Sequence, residues 1–378
     1  NLNSVPSKGA GQVIAQFQLG KFNQSDIDAY CKQFGLPPAK IKIIKSGEGA
    51  APGANGEVTL DIELAHAIAP DSEIYIYESS NSLQDILNAY NKIVTDNIAK
   101  QVTSSWGLGE DFKSVTLQLQ AENAIFQQMA AHGQSMFAAA GDSGAYEGYG
   151  MGSDKLIVAD PAAQPYVTAV GGTNLTVNQQ DGSYVNEVVW NDGQGAAGGG
   201  GVSTVWPIPS WQNNVSTVYS KTNRNVPDVS LHAGSTTGYA IYYQGQWTAF
   251  GGTSCAAPLW AGFIACVNQG LAANNKPALG FANPTLYTIG NSSSHATNFF
   301  DVVTGDNLFY KAGPGYDNAT GWGSFNGANL YATLTNSSIP LPPVIPPVPQ
   351  PPEPPIPPVI PPVQPPVQAA PSLNITLL

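Results

Sequence analysis

Charge is what this chain has least of. Only 11 % of its 378 residues are Asp, Glu, Lys or Arg, and 14 basic against 26 acidic side chains leave a net charge of −12. A set so small and so acidic offers no basic patch, which excludes nucleic acid and anionic membrane surfaces as partners, because both are held through Lys and Arg. With three cysteines there is no disulfide framework. Cys255 and Cys266 fall in one expected helix, about 16 Å apart along its axis, too far to bridge. Cys31 is expected as a free, buried thiol. No run of about 18 apolar residues is present, so no membrane span is expected. Histidine is scarce as well, with four in the chain. None stands in a convincing setting for activating a nucleophile: His132 precedes Gly133 at an expected helix end, and His232 and His295 fall in loop-like sequence.

What is there begins with G-T-S-C-A-A-P at Gly252–Pro258, leading into the apolar run Leu259–Val267. Pro258 is tolerated only in a first helical turn, so Ser254 sits at a helix N-terminus, where unpaired amides favour negative charge. Upstream, E-V-T-L-D-I-E-L-A-H-A-I-A-P (57–70) is too apolar for a solvated helix. Glu57 and Asp61 stand one turn apart on one face, and a buried carboxylate pair shares a proton with one pKa raised. Glu63 is expected as the surface acid of this helix. A third segment, S-M-F-A-A-A-G-D-S-G (135–144), reads as a small apolar strand stopping at Asp142, on the carboxyl edge of a parallel sheet where α/β folds place their sites.

Strands are expected over 12–18, 40–44, 74–78, 101–105, 135–140, 166–170 and 228–231, and helices over 24–34, 57–69, 82–95, 114–131 and 254–272. That alternation predicts an α/β fold with a mostly parallel central sheet covered by helices on both faces. The glycine run 198–201 is expected to let backbone approach closely. From 340 to 371 the chain holds 17 of its 31 prolines, a composition that favours polyproline II and builds no core. The expected division is therefore a globular domain over 1–338 and a proline-rich extended tail over 339–378.

Taken together, these segments resemble the sedolisins, serine-carboxyl peptidases with a subtilisin-like fold. The resemblance spans about residues 10–330 and rests on E-V-T-L-D at Glu57–Asp61, S-S-W-G at Ser104–Gly107, A-A-G-D-S-G at Ala139–Gly144, P-Y-V-T-A-V-G-G-T at Pro165–Thr173 and G-G-T-S-C-A-A-P at Gly251–Pro258, in the family's order. It implies a three-layer subtilisin-like domain in which Ser254 is the nucleophile, Glu57 the general base, Asp61 its orienting partner and Asp142 the acid of the oxyanion site. Trp106 is implied as a neighbour of Glu57. A further glutamate that extends the acid network in some members is replaced here, at the best alignment, by Gln24, with Asp26 nearby.

Asp301-Val302 and the later A-G-P-G-Y-D (312–317) place two carboxylates among carbonyls freed by Gly and Pro, hard oxygen ligands suited to Ca²⁺. The resemblance implies one structural calcium here, held by the Asp301 and Asp317 side chains and the carbonyls of Val302, Gly313 and Gly315. It also implies a secreted, acid-active monomer that cleaves proteins or peptides, made as a zymogen with an inhibitory prosegment. By this reading the chain from Asn1 is the mature product. The expected activity is an endopeptidase that works through a Ser-Glu-Asp triad and an acyl-enzyme. A tripeptidyl exopeptidase of the same family, a histidine-based subtilase using Asp61 with His66, and a non-catalytic binding protein on this fold are the alternatives.

Overall fold

The computed structural model describes residues 4–111, 116–147 and 154–336 and the backbone of 376–377. Its first strand, β1 (Val13–Gln18), shows how the layers are set. Side chains alternate between the faces of a strand. Phe17 on one face stacks on Tyr90 of helix α3 (Leu83–Asp96) at 4.4 Å. Gln16 and Gln18 on the other face reach Asp61 of helix α2 (Gly56–Ile68). Helices α2 and α3 therefore cover opposite faces of one sheet.

The other strands of that sheet before residue 140 are β2 (Lys40–Lys45), β3 (Glu73–Glu78), β4 (Gln101–Ser104) and β6 (Ser135–Ala139). The sheet runs from Val229–His232 through Val167–Val177, β6, β4, β1 and β3 to β2, with every step parallel. The central strands β4 and β6 are buried throughout and β1 nearly so, as expected of a parallel sheet covered on both sides. β2 is the edge, and its Lys40, Lys42 and Lys45 discourage pairing with another chain. The expected strand at 166–170 is longer than its apolar pattern. Val167–Val177 runs past the sheet and turns its far half to an antiparallel partner, Tyr184–Val189.

Helices α1 (Gln24–Phe34) and α4 (Thr116–Ala131) flank the sheet, and α5 (Thr253–Ala273) is the central core helix. α5 is long and apolar enough to cross a membrane, but 89 % of that stretch is buried inside the protein. It packs on α2, β4 and β6, and its Trp260 and Phe263 lock against Phe325. The fold is the α/β, subtilisin-like arrangement of three layers. β1, β4 and β6 are adjacent and parallel, so Gln18, Ser105 and Asp142 arrive at one carboxyl edge. The 338/339 boundary and the proline-rich tail lie outside the described residues. Beyond them, the backbone of Thr376–Leu377 pairs antiparallel with β5 (Trp106–Gly109).

Candidate active site

Two helix starts and three strand ends converge at this edge. The Asn55 side chain caps α2 by accepting from the Glu57 amide at 2.8 Å, which fixes the first turn. Glu57 and Asp61 are then stacked one turn apart, 6 % and 0 % exposed. Asp61 is gripped from both sides: its Oδ2 accepts from Gln18 Nε2 at 2.6 Å and its Oδ1 from Ser105 Oγ at 2.7 Å. Trp106 Nε1 donates to Gln18 Oε1 at 2.9 Å, which orients the amide. The Ser254 and Ser105 side chains hydrogen-bond to the Glu57 carboxyl, whose Oε1 has no partner. Burial, and after it the charge of Asp61, pushes Glu57 well above the usual carboxylate range. Burial also raises Asp61 to about 7, against the pull of Ser105 and Gln18. Two buried carboxyls with raised affinity keep a proton between them in mild acid.

Ser254 is the second residue of α5 and only 3 % exposed. The helix is entered through Gly252 at φ 106°, the left-handed region. A Cβ there would also lie 2.5 Å from Asp142 Oδ2. Thr253 ties the helix start to the end of β6. Its amide donates to Asp142 Oδ1 at 2.8 Å, and its hydroxyl lies 2.9 Å from the same oxygen and 3.0 Å from the Gly141 amide. Burial moves Asp142 up to about 6. The close approach expected of the glycine run is real. Gly199 N donates to Gly141 O at 2.7 Å, and a Cβ on Gly199 would stand 1.9 Å from Ala140 O.

Glu57, Asp61, Asp142 and Ser254 are thus brought together around one cleft. Chemically the arrangement offers a hydroxyl at a helix start, a carboxyl beside it with raised proton affinity, and a second carboxyl across the helix entrance able to stay neutral in acid.

Two expectations are corrected. Gln24 is not part of the network. It pairs with Asp28 on the exposed face of α1, and Gln18 holds the place beside Asp61 and Trp106. The signal is present in the sequence: two buried glutamines, Gln16 and Gln18, share one face of a strand whose other residues are apolar. Glu63 is not a surface acid. It is 0 % exposed and accepts from the Tyr242 amide at 3.0 Å, and burial drives it to about 8. The hairpin Tyr239–Tyr243/Gln246–Phe250 lies over α2, a cover that helix periodicity does not reveal. Trp106 acts on Asp61 through Gln18. Asp26 instead holds that hairpin's turn through the amides of Gln244 and Gly245. The four histidines are engaged with backbone groups elsewhere: His66 with Pro37 O, His132 with Val94 O, His232 with Thr237 O and His295 with Trp322 O. His66 is buried and its pKa is lowered by desolvation, which leaves the histidine-based alternative without a base at Ser254. Cys31, Cys255 and Cys266 are free and buried, as expected.

At the second expected site the two aspartates lie against one loop. Asp301 Oδ2 accepts from Gly315 N at 2.9 Å and Asp317 Oδ2 from Gly313 N at 3.0 Å, so both carboxylates close on one loop. Val302 beside them is buried against Val189 and Ala319. Asp301 Oδ1 is buried without a partner, and burial raises Asp317 to about 6. An orphaned carboxylate oxygen beside a Gly/Pro loop fits a hard cation.

The subtilase family model matches residues 46–323. Kumamolisin from Bacillus sp. (strain MN-32) is 38 % identical over 89 % of this chain and 62 % of its own length. Tripeptidyl-peptidase 1 from Rattus norvegicus is 30 % identical over 86 % of this chain and 60 % of its own. The chain thus spans about three fifths of the length of these curated relatives. Among solved structures, Pseudomonas sedolisin, a serine-carboxyl proteinase complexed with two molecules of pseudo-iodotyrostatin, superposes with a TM-score of 0.79 at 32 % identity, covering 89 % of this chain and 98 % of that one.

Proposed function

The chain belongs to the sedolisin family of serine-carboxyl peptidases within the subtilases, and from that premise we propose that it is an acid-active endopeptidase in which Ser254, Glu57 and Asp61 form the catalytic triad. The observation that carries this reading is the contact of Ser254 with a Glu57 whose proton affinity is raised by burial and by Asp61. An ordinary carboxylate is too weak a base for a serine hydroxyl, and a raised one is better matched.

Ser254 Oγ attacks the substrate carbonyl as Glu57 takes its proton, giving an acyl-enzyme and releasing the amine, to which Glu57 returns the proton. Asp61, fixed by Gln18 and Ser105, holds Glu57 in place and shares its charge. Protonated Asp142 donates to the developing oxyanion. Ionised, it would repel that charge, so activity is restricted to acid. Asp301 and Asp317, with the carbonyls of Val302, Gly313 and Gly315, would hold one calcium ion. When bound, it would neutralise the two carboxylates and brace the loop.

This is the reading for a secreted, monomeric enzyme acting on proteins and peptides and kept inactive before maturation by a prosegment. Tripeptidyl-peptidase 1 among the relatives favours one second reading, release of tripeptides from free N-termini. Digestion of a peptide library with free and acetylated N-termini, between pH 2 and 8, separates the two. Internal cleavage of acetylated peptides, with a maximum below pH 5, supports the endopeptidase. Cleavage confined to free N-terminal tripeptides replaces it, and a neutral or alkaline maximum overturns the carboxylate mechanism.

A further inference from the structure

β5 (Trp106–Gly109) follows β4 through Ser105 but leaves the central sheet for a small sheet of its own, in which it is the middle strand. Ala159–Asp160 covers one edge, opposite Leu108 and Gly109. The backbone of Thr376–Leu377 covers the other, with Thr376 opposite Gly107 and Leu377 opposite Trp106. Ser105 fixes where that second edge stands. Its Oγ donates to Asp61 Oδ1 at 2.7 Å, lies 3.3 Å from the Ser254 carbonyl and hydrogen-bonds to the Glu57 carboxyl. Trp106, one residue on, holds Gln18 at 2.9 Å. The pairing is antiparallel, so Thr376–Leu377 runs toward Ser105 as its numbering rises. A backbone laid on this edge heads for the catalytic residues.

An open strand edge is a row of unpaired N–H and C=O groups, and an extended peptide satisfies them by adding as a further strand. The main-chain bonds form whatever the side chains are, and they hold the peptide on a fixed course past the nucleophile, as cleavage of an extended chain requires. The sequence shows why 376–377 suits this edge. Proline cannot donate to a ladder, and it dominates 340–371. The stretch 372–378, S-L-N-I-T-L-L, holds none and carries the β-branched Ile375 and Thr376. From the end of the helix Gly327–Asn336, the connection 337–375 has a reach on the order of 120 Å at ~3.1 Å per residue. A tethered occupant acts at an effective concentration on the order of a millimolar.

We propose that the outer edge of β5 is the docking edge for extended polypeptide at this site, and that residues 376–377 occupy it as an internal competitor of substrate. The inference rests on the peptidase reading of Ser254. An occupant that leaves about one fifth of the molecules open raises KM about fivefold and leaves kcat unchanged.

The test uses the full chain with Thr376→Pro and Leu377→Pro together, which keeps its length and removes both ladder donors. In a Ser254→Ala background, hydrogen exchange at 106–109 should quicken by about tenfold while α5 is unaffected. The synthetic heptapeptide of residues 372–378, added to that variant, should slow exchange at 106–109 again. Unchanged exchange in the proline variant overturns the docking. Protection at 106–109 that grows with protein concentration overturns the internal competitor, since the strand then comes from a second chain. In the active enzyme the proline variant should show a KM about fivefold lower at unchanged kcat, with the heptapeptide competing against substrate. Quickened exchange with an unchanged KM and no inhibition by the heptapeptide overturns the competition. If neither the parent nor the proline variant cleaves peptides, the peptidase reading falls and the competition with it, while exchange at 106–109 still decides whether 376–377 docks.

Discussion

Replacing Asp142 by Asn separates the electrostatics of this site from its shape. Asn keeps an oxygen to accept from Thr253 N, now 2.8 Å from Oδ1, and removes the titration. Burial raises Asp142 from 3.8 to about 6. Its folded value lies above its unfolded value, so the native state binds the extra proton between about pH 4 and 6. The associated stability is present below pH 4 and lost as pH rises through 6. About two units at ~1.4 kcal/mol each give nearly 3 kcal/mol, and partial exposure of the side chain at the cleft reduces this to about 2 kcal/mol. Asn carries no such penalty. In a Ser254→Ala background, urea unfolding should show Asp142→Asn equal to its parent at pH 3 and more stable by about 2 kcal/mol at pH 8, near 3 °C in melting temperature for a domain of this size. Equal differences at both pH values would refute the raised carboxyl. In the active enzyme, Asp142→Ala should lower kcat about 100-fold with little change in KM, as for a lost oxyanion donor. If donation is all that matters, Asn retains activity and extends the alkaline limb. If Asp142 also passes a proton, Asn is nearly as poor as Ala. Wild-type kcat in the Ala variant would remove Asp142 from the site.

Ser254→Ala should abolish acyl-enzyme formation and Glu57→Gln nearly so, with losses in the double variant far from additive in burst kinetics; additive losses would separate their roles. Asp61→Asn should cost less than Glu57→Gln, since it removes an orienting partner and leaves the base. Gly252→Ala meets both a φ of 106° and Asp142 Oδ2 at 2.5 Å, and should lower stability by about 1–3 kcal/mol together with kcat; an unaffected variant would show that the helix entrance is not constrained. Chelation at pH 5–6 should lower the melting temperature more than it lowers initial rate, through loss of a ligand bound only by the folded state; unchanged melting counts against the Asp301/Asp317 site. A chain ended after Ser338 should keep kcat/KM on a short peptide within a factor of about ten, because the tail supplies no acid–base group.

Much of the site is legible in the sequence because its parts are local. The spacing of Glu57 and Asp61 and a glycine after an apolar strand each constrain the backbone within a few residues, whereas Pro258, expected in a first turn, is the sixth residue of α5. Helix α1 falls on its expected bounds for the same reason: Gly35 adopts φ 63° and ends it. The parts that sequence pattern misplaces are non-local. Gln18 reaches Asp61 across 43 residues, and Trp106 reaches Gln18 across 88. Neither pairing leaves a trace in periodicity. Glu63 reads as exposed because a helix pattern cannot register a hairpin that arrives from 179 residues away.

The chemistry available to this protein is therefore written in residue types and short spacings: a serine at a helix start, paired carboxyls one turn apart, an aspartate after a strand. The proton affinities on which that chemistry depends belong to the fold. Glu57, Asp61 and Asp142 are shifted chiefly by desolvation, and burial is a property of what packs around a residue, not of the residue. Only the parallel pairing of β1, β4 and β6 brings those carboxyls to one edge and closes water out around them.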